Sequence, residues 1–185
     1  AEIQEKKGLN IQKFTTDFLY ASQQAYLKNL YLQTPKTLIR DELMLSYQSL
    51  DALTQNPGNI KLSASLRNSR IAFSDILNLV PDLRNTTPFD QYPNAVLNVS
   101  TKVGGSVNNL MIQNLQLTGI DKTVIVASGN VRNAMNPKDL YYDLNIKELT
   151  TQAKTVYRLV PKNTIPSNIT LPSSFTVRGR AKGTT

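Results

Sequence analysis

The chain of 185 residues contains no histidine, no cysteine and no tryptophan. Without histidine, neither a Ser-His-Asp triad nor a Cys-His pair can be assembled within it. Without cysteine and histidine, the ordinary zinc and iron–sulfur sites are excluded too. No disulfide can form, so cysteine chemistry says nothing about the compartment. Only carboxylates, Lys, Arg, Tyr, Ser and Thr remain for acid–base work. Asp41 and Glu42 are adjacent, and neighbours on a strand face opposite ways. Asp139 and Asp143 match no catalytic pattern either, and all four read as solvated charge. A carboxylate-based glycan hydrolase is the weakest reading left open. The expectation is a protein that is not an enzyme, with no catalytic, cofactor-binding or metal-binding residues and no cofactor.

Long apolar runs are also missing, and none approaches the roughly 20 residues needed to cross a bilayer. The first residues, Ala1-Glu-Ile-Gln-Glu-Lys-Lys7, are too polar for a signal peptide, and no initiator Met is present. The sequence is therefore expected to be a piece of something longer. Acidic residues are the scarcer sign, 13 against 21 basic, for a net charge of +8. The basic residues are dispersed, among them Lys6, Lys7, Lys13, Lys28, Lys36 and Arg40, which suits solubility. Arg178-Gly-Arg-Ala-Lys182 is the one dense run. It reads as a solvated strand face, with lipid headgroups as the sharper alternative. No recognition helix or aromatic RNA motif appears, so no nucleic-acid partner is expected. The sequons at Asn85, Asn98 and Asn168 read as coincidental in an Asn- and Thr-rich chain.

What is present is a period of two. Leu97, Val99 and Val103 alternate with Asn98, Ser100 and Lys102. Leu110 and Ile112, then Leu115 and Leu117, continue the pattern, with a slip at Gln113-Asn114 that fits a β-bulge. Leu144 and Ile146, and Phe175 and Val177, belong to two further alternating runs. Leu27, Leu30 and Leu32 mark another, and Thr123–Ala127 is apolar on both faces, as in a central strand. Such alternation predicts half-buried strands. Turn chemistry at Gln55–Gly58, Gly104-Gly105, Gly119–Asp121 and Ser128–Asn130 separates them. Short helices are predicted at Asp75–Val80 capped by Ser74, at Val156–Val160 capped by Thr155, and at Leu50–Leu53 capped by Ser49. Phe73, Ile76, Leu77, Val156 and Tyr157 would pack these turns onto the sheet or gate it.

Leu-Val-Pro occurs at 79–81 and again at 159–161, with a strand following each time. The succession of strand, short helix, Leu-Val-Pro, loop and strand is thus repeated in one order. The organisation expected is N-terminal strands over 1–60, a first unit over 61–140 and the start of a second over 141–185. Repeats of this size favour a stacked or extended sheet over a closed barrel.

Several phrases resemble TamB-like proteins of the AsmA-like superfamily. They include Leu30–Arg40, Leu45–Leu50, Pro93–Val99, Leu115–Gly119, Ala127–Val131, Tyr142–Lys147, Ile165–Pro172 and Arg178–Gly183. The resemblance implies a segment of a periplasmic protein of Gram-negative cells whose parent is anchored in the inner membrane. It implies an elongated, curled, taco-like antiparallel sheet with an apolar concave face. It also implies phospholipid transport and outer-membrane biogenesis, with an outer-membrane β-barrel assembly partner reached through other parts of the parent. Phospholipid acyl chains would then lie against Leu97, Val99, Val103, Leu110, Ile112, Leu115, Leu117, Leu144, Ile146, Phe175 and Val177. The same residues could instead fill a sealed sandwich core. A module that aids outer-membrane protein insertion through strand contacts is the alternative function.

Overall fold

The computed structural model describes residues 3–4, 10–49, 51, 55–134, 136, 139–160 and 164–184. Two short strands, β1 (Ile3–Gln4) and β2 (Asn10–Ile11), pair with each other. The remaining strands are β3 (Lys13–Ala21), β4 (Gln24–Gln33), β5 (Leu38–Ser46), β6 (Lys61–Ala72), β7 (Val96–Ser106), β8 (Asn109–Thr118), β9 (Val124–Arg132), β10 (Tyr141–Gln152) and β11 (Ser174–Thr184). These nine form one antiparallel sheet in which each strand lies beside its sequence neighbours. The sheet is curled and unclosed, so the mainly β class expected from the alternation is the fold observed.

Helix α1 (Phe73–Leu79) follows β6 and helix α2 (Ala153–Leu159) follows β10. Neither begins at the predicted cap. Strand runs straight into helix, so the cap positions are the extended residues Ala72 and Gln152, and no side chain caps either helix. The neighbouring strand's approach supplies an acceptor instead. The Phe73 amide donates to the Ala95 carbonyl at 2.9 Å, and the Ala153 amide to the Ser173 carbonyl at 3.2 Å. Ser74 and Thr155 therefore lie inside the first turn. Of the helix expected at Leu50–Leu53, only Asp51 is among the described residues.

Each of the eight pairings in the large sheet carries a register shift. They fall near mid-strand and line up from one strand to the next: beside Thr16, Lys28-Asn29, Arg40, Arg67-Asn68, Gln113-Asn114 and Lys147. A bulge bends its strand and raises the local twist. A row of them creases the whole sheet.

Polar side chains at the crease take over for missing ladder partners. Thr16 donates to the Lys28 carbonyl at 2.9 Å, and Asn29 donates to the Asp17 carboxylate at 2.6 Å. The Asp41 carboxylate accepts from the Arg67 amide at 2.8 Å and from its guanidinium. Ser69 and Ser100 hydroxyls accept the Arg40 and Asn68 amides, each at 3.0 Å. Asn29 and Asn68 sit at φ 48 and 47, the left-handed region Asn tolerates best after Gly.

The pairing also repeats. Ala72↔Val96, Ser69↔Val99, Leu66↔Thr101 and Lys61↔Ser106 in β6–β7 match Gln152↔Ser174, Leu149↔Val177, Ile146↔Gly179 and Tyr141↔Thr184 in β10–β11, with the shift in the same place. Likewise Gln24↔Ser46, Leu27↔Leu43, Leu30↔Asp41 and Gln33↔Leu38 in β4–β5 match Asn109↔Arg132, Ile112↔Gly129, Leu115↔Ala127 and Thr118↔Val124 in β8–β9.

Each helix is tied to an earlier turn by one hydroxyl–carboxylate bond, and the two residue types are exchanged between units. Thr34 of the β4–β5 turn donates to Asp75 of α1 at 2.6 Å, whereas Thr155 of α2 donates to Asp121 of the β8–β9 turn at 2.7 Å. Thr34→Asp should set two carboxylates against each other and lower stability by roughly 1–3 kcal/mol. The exchanged pair, Thr34→Asp with Asp75→Thr, should recover more than half of that loss in urea unfolding.

Candidate functional site

In an antiparallel ladder, directly opposed residues project to the same side. The register therefore places all eleven predicted residues on one face of the sheet, called inner here. Leu97, Val99 and Val103 lie on β7, with Val99↔Leu117 and Val103↔Ile112 opposite on β8 beside Leu110 and Leu115. Leu144 and Ile146 lie on β10. Opposite β10, Phe175 pairs Thr151 and Val177 pairs Leu149. Strand β9 completes the row with Ala127, opposite Leu115 and Ile146.

The face runs further than predicted. Phe14, Phe18 and Tyr20 on β3, Ala25, Leu27, Leu30 and Leu32 on β4, and Leu43 and Leu45 on β5 continue it toward the N-terminus. The signal was present in Leu27, Leu30 and Leu32. The interruption at Lys28-Asn29, however, gives the spacing of a helix rather than of a strand.

Val99, Leu30, Ala64 and Ala127 are buried, and most other inner residues are half-buried. Val177 is exposed. Among the described residues no second sheet of comparable size covers this face. The two helices have 7 residues each, about 10 Å of length apiece. Nine strands of about ten residues span on the order of 1,200 Å² per face. The largest apolar patch on an ordinary monomer is roughly 300–600 Å². The chain exposes 11925 Å² in all, against roughly 8,900 Å² for a compact globular protein of 20.6 kDa. Surface that a sealed core would remove from water is thus still open.

At one end the helices do pack. Phe73 and Leu77 are buried, with the Phe73 ring 4.5 Å from that of Phe89. Ile76 and Val156 are half-buried and Tyr157 is exposed. Gly129, at φ +145, lies on the inner face opposite Ile112 and Leu144. A Cβ there would run into the Asp143 carbonyl oxygen. Gly129→Ala should cost about 1–3 kcal/mol of stability, read as a lowered urea midpoint at unchanged slope.

The outer face is mostly polar, with Leu19 and Met111 exposed on it. Lys13 and Arg40 lie over the Tyr31 ring at 5.0 and 5.6 Å, and Arg132 over Tyr141 at 4.7 Å. An open depression of about 590 Å³ at the bulge is lined by Met111 and Ile112 as well as by Gln113, Asn130, Asp143 and Arg180. Two of the carboxylates read as solvated charge carry partners: Arg180 grips Asp143 through two bonds of 2.6 Å, and Asp41 is held by Arg67. Asp139 accepts from the Asn136 amide at 2.5 Å. The bulge puts Asp41 opposite Leu66 and turns its carboxylate back to the Arg67 amide, a partner that strand alternation does not disclose. Exposed pairs of this kind contribute at most about 1 kcal/mol each.

The Arg180 guanidinium holds the Asp143 carboxyl below the usual carboxylate range. Hydroxyl bonds from Thr155 and then Tyr92 do the same for Asp121, with Lys154 and Arg158 nearby.

Among the described residues no helix is long and apolar enough to cross a membrane. No family model, curated protein or solved structure matches the chain.

Carboxyls with lowered pKa stabilise the fold above their ordinary pKa, and that contribution is lost as pH falls through the folded value. Stability should therefore fall on acidification below about pH 4. Asp121→Asn should be less stable at neutral pH and show a shallower acid loss, measured by urea unfolding across the titration.

Proposed function

We propose that the chain is a non-enzymatic segment of a TamB-like periplasmic bridge protein that offers its inner face to phospholipid acyl chains. The observation that carries this reading is the uncovered apolar face on a sheet that curls without closing. A lipid conduit needs no acid, base or metal; it needs a continuous apolar surface that its own core does not consume. The alternation supplies that surface, and the outward Lys, Arg, Asn and Thr residues keep the other side wet. In this reading the parent is anchored in the inner membrane and serves outer-membrane biogenesis. The headgroups remain in water at the open mouth while the chains lie along Leu110, Leu115, Leu144 and Ile146.

A second reading is favoured by the free edges of β3 and β11, the terminal strands of the sheet. Unpaired backbone groups there could recruit strands of outer-membrane proteins by β-augmentation.

Lipid extraction and mass spectrometry of the purified protein separate the two readings. Phospholipid should co-purify and should be lost on Leu115→Asp and on Ile146→Asp. Asn145→Asp, on the outer face, should retain it. Circular dichroism must report the same strand content in all three. A protein that carries no lipid but binds unfolded β-strand peptides would favour the assembly reading.

A further inference from the structure

The repeated register makes β3, β7 and β11 three copies of one strand type. Phe14, Val99 and Val177 are equivalent in them: Phe14↔Leu32 corresponds to Val99↔Leu117, and Ser69↔Val99 to Leu149↔Val177. Their exposures are 43%, 8% and 42%. Val99 is buried because β7 has neighbours on both sides, β6 and β8; Phe14 and Val177 each lie on a strand with one. The helices differ in the same sense. Leu77 of α1 is 6% exposed and Tyr157, its counterpart in α2, is 52% exposed. The first unit therefore displays what covers this surface, and the second displays the surface without its cover.

What lies beside β7 is β8, and what lies beside β3 is β4. These two strands share one pattern. Each has 10 residues, with apolar side chains at the second, fourth, seventh and ninth positions: Ala25, Leu27, Leu30 and Leu32, and Leu110, Ile112, Leu115 and Leu117. The two residues between the fourth and seventh, Lys28-Asn29 or Gln113-Asn114, form the bulge. We infer that the free edge of β11 is a docking edge for one more antiparallel strand of this pattern, supplied by a further unit of the same repeat. Its ninth residue would lie opposite Val177. Its bulge would continue the crease past Gly179, which already holds φ +150.

Other occupants fit less well. Pairing β11 with β11 of a second copy would bring Arg178, Arg180 and Lys182 against their own kind. Pairing it with β3 would place two strands of one type side by side in parallel, whereas every described pairing is antiparallel. A strand with regular alternation would fail at the crease, because a one-residue slip sends half of its apolar residues outward. The inference does not depend on whether the inner face holds lipid.

Hydrogen exchange of the intact protein tests it with two synthetic peptides. One has the sequence of Asn109–Thr118; the other lacks only the residue corresponding to Asn114, which makes the alternation regular. At ten times its Kd the first peptide should slow amide exchange in Ser174–Thr184 about tenfold. The second should give no protection there, and Val177→Lys should abolish that given by the first. Equal protection by both peptides, protection of Lys13–Ala21 in place of β11, or a dimer joined through β11 would overturn the proposal. The comparison of the two peptides needs no variant, so it stands even if Val177→Lys perturbs the edge.

Discussion

The crease governs the rest of the molecule. Nine antiparallel strands with an even twist would make an open saddle, one side apolar and bare. A bulge in one pairing alone would kink one strand; a bulge in all eight, passed from each strand to the next, bends the sheet as a body. The extra residues would leave backbone groups without ladder partners, and a buried unpaired group costs about 1–3 kcal/mol. The chain places Thr16, Asn29, Asp41, Ser69, Ser100 and Thr101 near that line, where their short side chains bond backbone groups or, for Asn29, the Asp17 carboxylate. The crease is tolerable only because these residues are polar. Asn29 is exposed to water, whereas Ser69 is fully buried and its hydroxyl is satisfied by the Arg40 amide.

From this follows the unusual balance of burial. Each strand of the large sheet pairs only with its neighbours in sequence, so the topology needs no crossover connection. Among the described residues no second sheet of comparable size lies over Leu30, Ala64, Val99 and Ala127, yet all four are buried. The helices pack onto one end of the strands, held by a hydroxyl–carboxylate bond to the preceding turn. That bond survives with its partners exchanged between units, so the constraint kept is the link, not the identity of either residue.

The alternation was legible wherever two or three apolar residues fell on either side of a single slip, as at Leu110, Ile112, Leu115 and Leu117. It gave the strand faces, and there Gln113-Asn114 marked the bulge. Elsewhere the same bulges hid the pattern. Leu27 and Leu30 stand three apart, so a strict period of two reads a strand there without placing Leu30 and Leu32 on the same face as Leu27. Both helix caps were misplaced for a related reason. Ser74 and Thr155 look like caps when a helix begins from a loop, but here it begins from a strand. A main-chain carbonyl across the ladder takes the first amide, which leaves Thr155 free to bind Asp121. Asp41 and Asp143 looked solitary because their partners, Arg67 and Arg180, are 26 and 37 residues away in sequence.

The missing histidine, cysteine and tryptophan acquire a physical meaning in this frame. In the proposed reading the surface acts through shape and apolarity, for which a titrating imidazole or a thiol is not needed. A bulky indole on a concave face of Leu, Val, Ala and Gly would fill the space that the curl opens. The small residues Ala127, Gly129, Gly179 and Ala181 stand where β9 and β11 oppose the larger Leu144 and Ile146 of β10. Large and small side chains thus alternate across the strands, as they do in an interdigitated core. Here, however, among the described residues no facing sheet interdigitates with them. The relief is thus a property of the sheet itself, set by which strands carry the small residues and by the bulges that bend them.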